Sequence, residues 1–169
     1  MEKGTLYFFT GLAGAGKTTI GGLFYERLKA RKPDAVLVDG DRSRTKNGAT
    51  QKKDYSTEAR MKGAFSQMRS CKEYTDQGKD VVLCSISGYE DVRAWARENV
   101  ENYKEIYIKV TWATLLQRNQ KGLYSPGQKD VVGVDLRWDE PKQSDLVIQN
   151  DGEESPEYIV ACINEQFGL

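Results

Sequence analysis

Gly11, Gly16, Lys17 and Thr18 stand at the spacing GxxxxGK[ST] within the run Gly11-Leu12-Ala13-Gly14-Ala15-Gly16-Lys17-Thr18-Thr19. A chain of phosphates must be wrapped by several backbone N–H groups at once, and glycines allow both the close approach and the positive φ angles this needs. Lys17 is placed to reach the β- and γ-phosphates, and the Thr18 hydroxyl is placed to ligate Mg²⁺. A helix starting at Lys17 aims the positive end of its dipole at the same phosphates. Gly11, Gly14, Ala15, Gly16, Lys17, Thr18 and Thr19 are therefore expected to hold the phosphates of a nucleoside triphosphate. A guanine-reading NKxD pattern is missing, since the nearest string, Asn119-Gln120-Lys121-Gly122, does not fit it. ATP is the expected donor.

Phosphoryl transfer also needs a group that takes or orients the acceptor's proton. The chain contains no histidine, which removes Ser-His-Asp triads, HExxH zinc sites and every mechanism with a His base. Carboxylates remain. Asp39 and Asp41 follow the apolar run Ala35–Val38, on the sheet edge where α/β proteins bind ligands. Asp41 is read as the catalytic base, and Asp39 as the residue holding Mg²⁺-bound water or the acceptor loop. The competing reading is a plain turn, because turns favour Asp-Gly-Asp.

These residues need a scaffold, and the apolar pattern supplies one. Leu6–Thr10, Ala35–Val38, Val81–Cys84, Ile106–Val110 and Leu146–Ile148 read as short buried strands. Between them, helical spacing predicts helices over Lys17–Ala30, from a cap at Ser56 or Thr57 to about Gln77, over Glu90–Val100, over Trp112–Asn119 and over Pro156–Phe167. Arg42–Tyr55 reads as a polar loop, and residues from about 120 to 141 as a mobile lid loop. Strand–helix alternation implies an α/β fold with a five-stranded, mostly parallel sheet covered by helices on both faces.

The length of 169 residues fits one domain over 1–169. Lys plus Arg and Asp plus Glu are 25 each, so nothing requires a nucleic-acid polymer as partner. No run is long and apolar enough for a membrane span or a signal peptide. Cys71, Cys84 and Cys162 form no CxxC pair and read as reduced thiols of a cytoplasmic protein.

Four strings occur in order: Thr10–Ile20 around the glycine loop, Val38-Asp39-Gly40-Asp41, Ser85-Ile86-Ser87-Gly88-Tyr89 and Lys121-Gly122-Leu123-Tyr124. Together they resemble the adenylylsulfate kinase family over about Gly4 to Ile148, and Gly133, Asp135 and Pro141 resemble the segment after its lid. The resemblance implies a P-loop fold, transfer of a phosphoryl group from MgATP to the ribose 3′-hydroxyl of a small nucleotide, and a homodimer. It places Arg118 with ATP and Lys17 with the catalytic groups. Asp41, Arg44, Tyr55, Arg60, Ser85, Ile86, Ser87, Lys121 and Leu123 fall on the acceptor side. Ser87 matches a serine labelled in the family as a phosphoserine intermediate; in-line transfer needs no covalent step, so a structural hydroxyl is expected.

Departures from the family concentrate on the acceptor side. Asp41-Arg42-Ser43-Arg44 replaces Asp-Asn-Ile-Arg, and Asp54-Tyr55-Ser56 replaces Gly-Phe-Ser. Gly63-Ala64-Phe65-Ser66 stands for Asn-Ile-Arg-Arg, and Ser85–Glu90 stands for Phe-Ile-Ser-Pro-Tyr-Arg. A stacking ring and several cations are gone, and each lost charge-assisted hydrogen bond is worth about 1.5–3 kcal/mol. The acceptor half is therefore expected to be rebuilt for another nucleotide. A smaller pyrimidine, as in the cytidine nucleotide of the family's cytidine diphosphoramidate kinase of capsule pathways, is compatible with the loss of the phenylalanine. Adenylylsulfate itself, a sugar or other metabolite, and a non-catalytic ATP-binding role stand as alternatives.

Overall fold

The structure is a computed structural model that describes residues 1–40 and 56–169. The acceptor-side candidates Asp41, Arg44 and Tyr55 lie outside the described residues, as does the whole of the predicted loop over 42–55.

Along the first strand, β1 (Thr5–Thr10), successive side chains point to opposite sides, and both sides are apolar. Leu6 and Phe8 face one layer of helices, and Tyr7 and Phe9 face the other. A strand buried on both faces belongs in the middle of a parallel sheet. β1 lies there, between β3 (Val81–Cys84) and β4 (Asn102–Lys109), with β2 (Val36–Asp39) and β5 (Leu146–Gln149) at the edges. The order is β2-β3-β1-β4-β5, and all pairings are parallel.

On one face, α1 (Lys17–Arg31) and α5 (Pro156–Phe167) bury Ile20, Phe24, Leu28, Ile159, Val160 and Ile163 against Phe9, Ile106 and Ile108. On the other, α2 (Thr57–Asp76) and α3 (Glu90–Asn99) bury Met68, Cys71, Val92 and Ala96 against Leu6, Phe8 and Leu83. Each fully buried side chain of this size contributes roughly 1.5–3 kcal/mol, so the two layers hold the sheet rigidly. Burial pushes the Cys71 thiol up to about 12, so it stays protonated and inert. A short helix, α4 (Trp112–Arg118), follows β4. Ser56 caps α2, accepting from the Ala59 N–H at 3.2 Å, and Thr111 and Ser155 cap α4 and α5 in the same way. Among the described residues, no helix is long and apolar enough to cross a membrane.

Two segments differ from the sequence expectation. β4 begins four residues earlier, at Asn102 instead of Ile106. The polar letters Asn102, Lys104 and Glu105 hide the strand, yet Thr5–Phe8 of β1 pair with Asn102–Glu105. Glu105 is fully buried there because Arg97, Tyr103 and Ser144 all donate to its carboxylate. The segment from 120 to 141 carries a 3₁₀ turn at Gln120–Gly122 and a bridge between Val132 and Leu136, and Val131 and Val132 are buried.

Candidate active site

β1 sits where the chain's connections turn to opposite sides, and a crevice opens beyond the carboxyl ends of its neighbours at such a point. The glycine loop leaves β1 there and enters α1. Gly14 and Gly16 have φ of 87° and 103°, in the left-handed region that glycine tolerates. A Cβ on Gly16 would stand 2.6 Å from the Asn150 amide nitrogen, so a larger residue there would displace that side chain. Within the loop, Ala15 N–H and the Lys17 ammonium both donate to the Leu12 carbonyl, at 3.0 and 3.1 Å.

A cleft of about 370 Å³ opens over this loop, lined by Ala13, Gly14, Gly16, Lys17, Thr18, Thr19, Asp39, Gln120 and Lys121. The sequence candidates Gly14, Gly16, Lys17, Thr18, Thr19, Asp39 and Lys121 are thus brought together. A cation, a helix N-terminus and two hydroxyls face one carboxylate across the cleft. That set matches a polyphosphate carrying a hard cation, which takes oxygen ligands such as a threonine hydroxyl and a carboxylate.

Gly11, Ala15, Arg118, Arg60, Ser85, Ile86, Ser87 and Leu123 are not part of this lining. Arg118 lies behind the loop and donates to the Gly14 and Asn150 carbonyls, at 3.0 and 2.7 Å. Ser85–Ser87 form the turn after β3, close to the loop's root, because the Thr10 hydroxyl donates to the Ile86 carbonyl at 2.8 Å. Ser87 is buried with φ of 38°, and its hydroxyl donates to that of Ser85 at 3.3 Å. Phe65, in the altered stretch of α2, packs edge-on to Trp95 with ring centres 6.3 Å apart.

The turn is held from behind by charges that sequence reasoning missed. Arg93 is fully buried. It donates to the Ser87 carbonyl at 3.1 Å, to the Asp139 carbonyl and to Glu90, and it stacks over Trp138 at 5.9 Å. Glu90 bridges onward to Arg97 at 2.9 Å, and Arg97 pairs with Glu105 at 3.1 Å. Burial works against the charged form of Glu90, but Arg97 and Arg93 outweigh it and hold its carboxyl below the usual range. Asp139 completes the tie, accepting from the Glu90 N–H at 3.0 Å while its own N–H reaches Gly88 at 2.8 Å. The i, i+3 spacing of Glu90 and Arg93 was the available signal.

Sequence reasoning also missed Asn150 and the role of Tyr124. Both touch carbonyls of the glycine loop, Asn150 to Ala15 at 2.8 Å and Tyr124 to Ala13 at 2.6 Å.

Residues 3–149 match the adenylylsulphate kinase family. A cytidine diphosphoramidate kinase of Campylobacter jejuni is 36% identical over 168 residues, covering 97% of this chain and 96% of the relative. An adenylyl-sulfate kinase of Picosynechococcus is 32% identical over 165 residues, covering 94% and 90%. The fold superposes on the Mycobacterium tuberculosis APS kinase CysC in complex with AMPPNP and APS with a TM-score of 0.84, at 23% identity and full coverage of both chains. With a family match across nearly its whole length and a fold and glycine loop to suit, the chain belongs to the adenylylsulphate kinase family and is a phosphotransferase.

Proposed function

We propose that this kinase transfers the γ-phosphoryl group of MgATP to the ribose 3′-hydroxyl of a cytidine nucleotide, with cytidine diphosphoramidate preferred over adenylylsulfate. The observation that carries this is the altered turn Ser85–Glu90. Where the family has arginine, this chain has Glu90, and its carboxylate holds both Arg93 and Arg97. The turn therefore offers an acceptor a different set of contacts from the family's, with a carboxylate engaged by its own chain's arginines where the family has a cation. The 36% identity to a cytidine diphosphoramidate kinase supports the same choice.

On the donor side, the loop N–H groups and Lys17 bind the phosphates and offset the charge that develops during transfer. Thr18 and Asp39, both at the cleft wall, would hold Mg²⁺. Bound there, Mg²⁺ would supply neutralisation of the phosphate charge. Lys121, also at the wall, adds a cation from the lid side. Asp41 takes or orients the acceptor proton.

Coupled ADP release with a nucleotide panel tests the assignment. Turnover with cytidine diphosphoramidate well above that with adenylylsulfate is the expected result. The reverse preference would return the chain to ordinary adenylylsulfate chemistry, and silence with every free 3′-hydroxyl would remove the nucleotide altogether. The family resemblance also implies a homodimer in the cytoplasm; light scattering giving about twice the 19.1 kDa chain mass checks the pairing.

A further inference from the structure

Three side chains from three separate segments converge on consecutive carbonyls of the glycine loop. The Tyr124 hydroxyl donates to Ala13, the Arg118 guanidinium to Gly14 and the Asn150 amide to Ala15, at 2.6, 3.0 and 2.8 Å. None of the three lines the cleft. They act on the far side of the loop.

The geometry of the peptide bond turns this into a statement about the near side. In a planar trans peptide, the carbonyl of one residue and the N–H of the next point in opposite directions. Holding the Ala13 carbonyl outward aims the Gly14 N–H inward, and holding the Ala15 carbonyl outward does the same for the Gly16 N–H. Gly14 and Gly16 both line the cleft. They are also the positions with positive φ, where the backbone has most freedom to rotate and least intrinsic preference.

We propose that Asn150 and Tyr124 are positioning residues for phosphate binding: by fixing the Ala15 and Ala13 carbonyls from behind, they preset the Gly16 and Gly14 N–H groups toward the phosphates. The inference rests on the cleft being the MgATP site. Asn150 is itself well anchored. Its N–H donates to the Lys109 carbonyl at 2.8 Å, its own carbonyl accepts from Arg118, and the neighbouring Asp151 carboxylate accepts from the Thr111 N–H at 2.9 Å. Tyr124 is braced by the edge of Trp112, with ring centres 5.5 Å apart. Both clamps are therefore tied to partners outside the glycine loop.

The test compares two probes, MgATP and magnesium tripolyphosphate, by calorimetric titration of the full chain. The variants are Tyr124→Phe, which removes one hydroxyl and little else, and Asn150→Ala. Each loses one neutral hydrogen bond and is expected to weaken both probes by the same factor, roughly 3- to 10-fold. The double variant should lose about the product of the two. Weakened ATP with unchanged tripolyphosphate would overturn the proposal, because the side chains would then serve the nucleoside end. A lowered melting temperature with unchanged affinity for both probes would also overturn it, leaving a structural role only. If the wild-type chain bound neither probe, the MgATP assignment would fall and the proposal with it.

Discussion

The glycine loop, proposed as the donor side, and the turn Ser85–Glu90, proposed as the acceptor side, are built from different materials. On the donor side the working groups are backbone N–H donors, set by glycine conformation and held by carbonyl clamps. On the acceptor side the turn Ser85–Glu90 is held by side-chain charge: Arg93, Glu90, Arg97 and Asp139. Backbone recognition tolerates much sequence change around a few fixed glycines. Charge recognition is rewritten by single substitutions, and on the proposed assignment Glu90 is such a rewriting. Under that proposal, one chain would retain a family's phosphate chemistry while departing from it at the acceptor.

The contrast is broken most severely if Lys17→Ala leaves activity intact. Removing this cation is expected to lower kcat by about 10²- to 10³-fold, the scale for losing one group that stabilises transition-state charge. Acceptor affinity measured by calorimetry should stay unchanged. A comparable loss of acceptor binding would show that the two sides are not separable.

Arg93→Met probes the other side. Removing one partner of a buried ion pair costs about 3–5 kcal/mol, and the half-exposed Glu90 places the expected loss near the lower end. Chemical denaturation reads the stability. Steady-state kinetics should show KM for the acceptor rising more than KM for ATP.

Gly16→Ala sharpens the donor side. The new methyl would sit at φ of 103° and within 2.6 Å of the Asn150 amide, so the loop or that amide must shift. Strain of about 1–2 kcal/mol is expected, with ATP affinity reduced and acceptor affinity retained in equilibrium titrations.

The smallest effect is in acid. Hydrogen bonds from the Thr114 hydroxyl, the Thr111 N–H and the Gln149 amide hold the exposed Asp151 carboxyl well below the usual carboxylate range. A folded pKa lower than the unfolded value of about 3.9 gives stability that is present above that value and lost as pH falls through the folded one. Melting curves between pH 7 and pH 3 should therefore fall more steeply for the native chain than for Asp151→Asn. Equal slopes would show that the Asp151 tie does not contribute.

Much of the fold was legible because its signals are local. Apolar runs gave each strand, and Ser56 stands where α2 begins. The start of β4 was not legible, because Glu105 reads as surface until Arg97, Tyr103 and Ser144 are known to surround it. The cleft lining was legible at Gly14, Gly16, Lys17, Thr18 and Asp39, where a chemical task dictates residue type. The clamps were not. Any donor of suitable reach can hold a carbonyl, so Asn150 and Tyr124 carry no fixed spacing relative to the loop. Asp41, Arg44 and Tyr55 rest on the sequence alone, since they lie outside the described residues.

The edge strand β5 has a consequence for synthesis of the chain. Asn150 follows β5 immediately, and it is placed by the pairing of Lys109 with Gln149. A ribosome-bound chain can lay down the glycine loop, α1 and most of the sheet before that strand emerges. Until it docks, the Ala15 carbonyl lacks the Asn150 amide and has only the Arg118 guanidinium, at 3.5 Å. On the role proposed for Asn150, full presetting of the loop becomes a late event, completed when β5 joins the sheet.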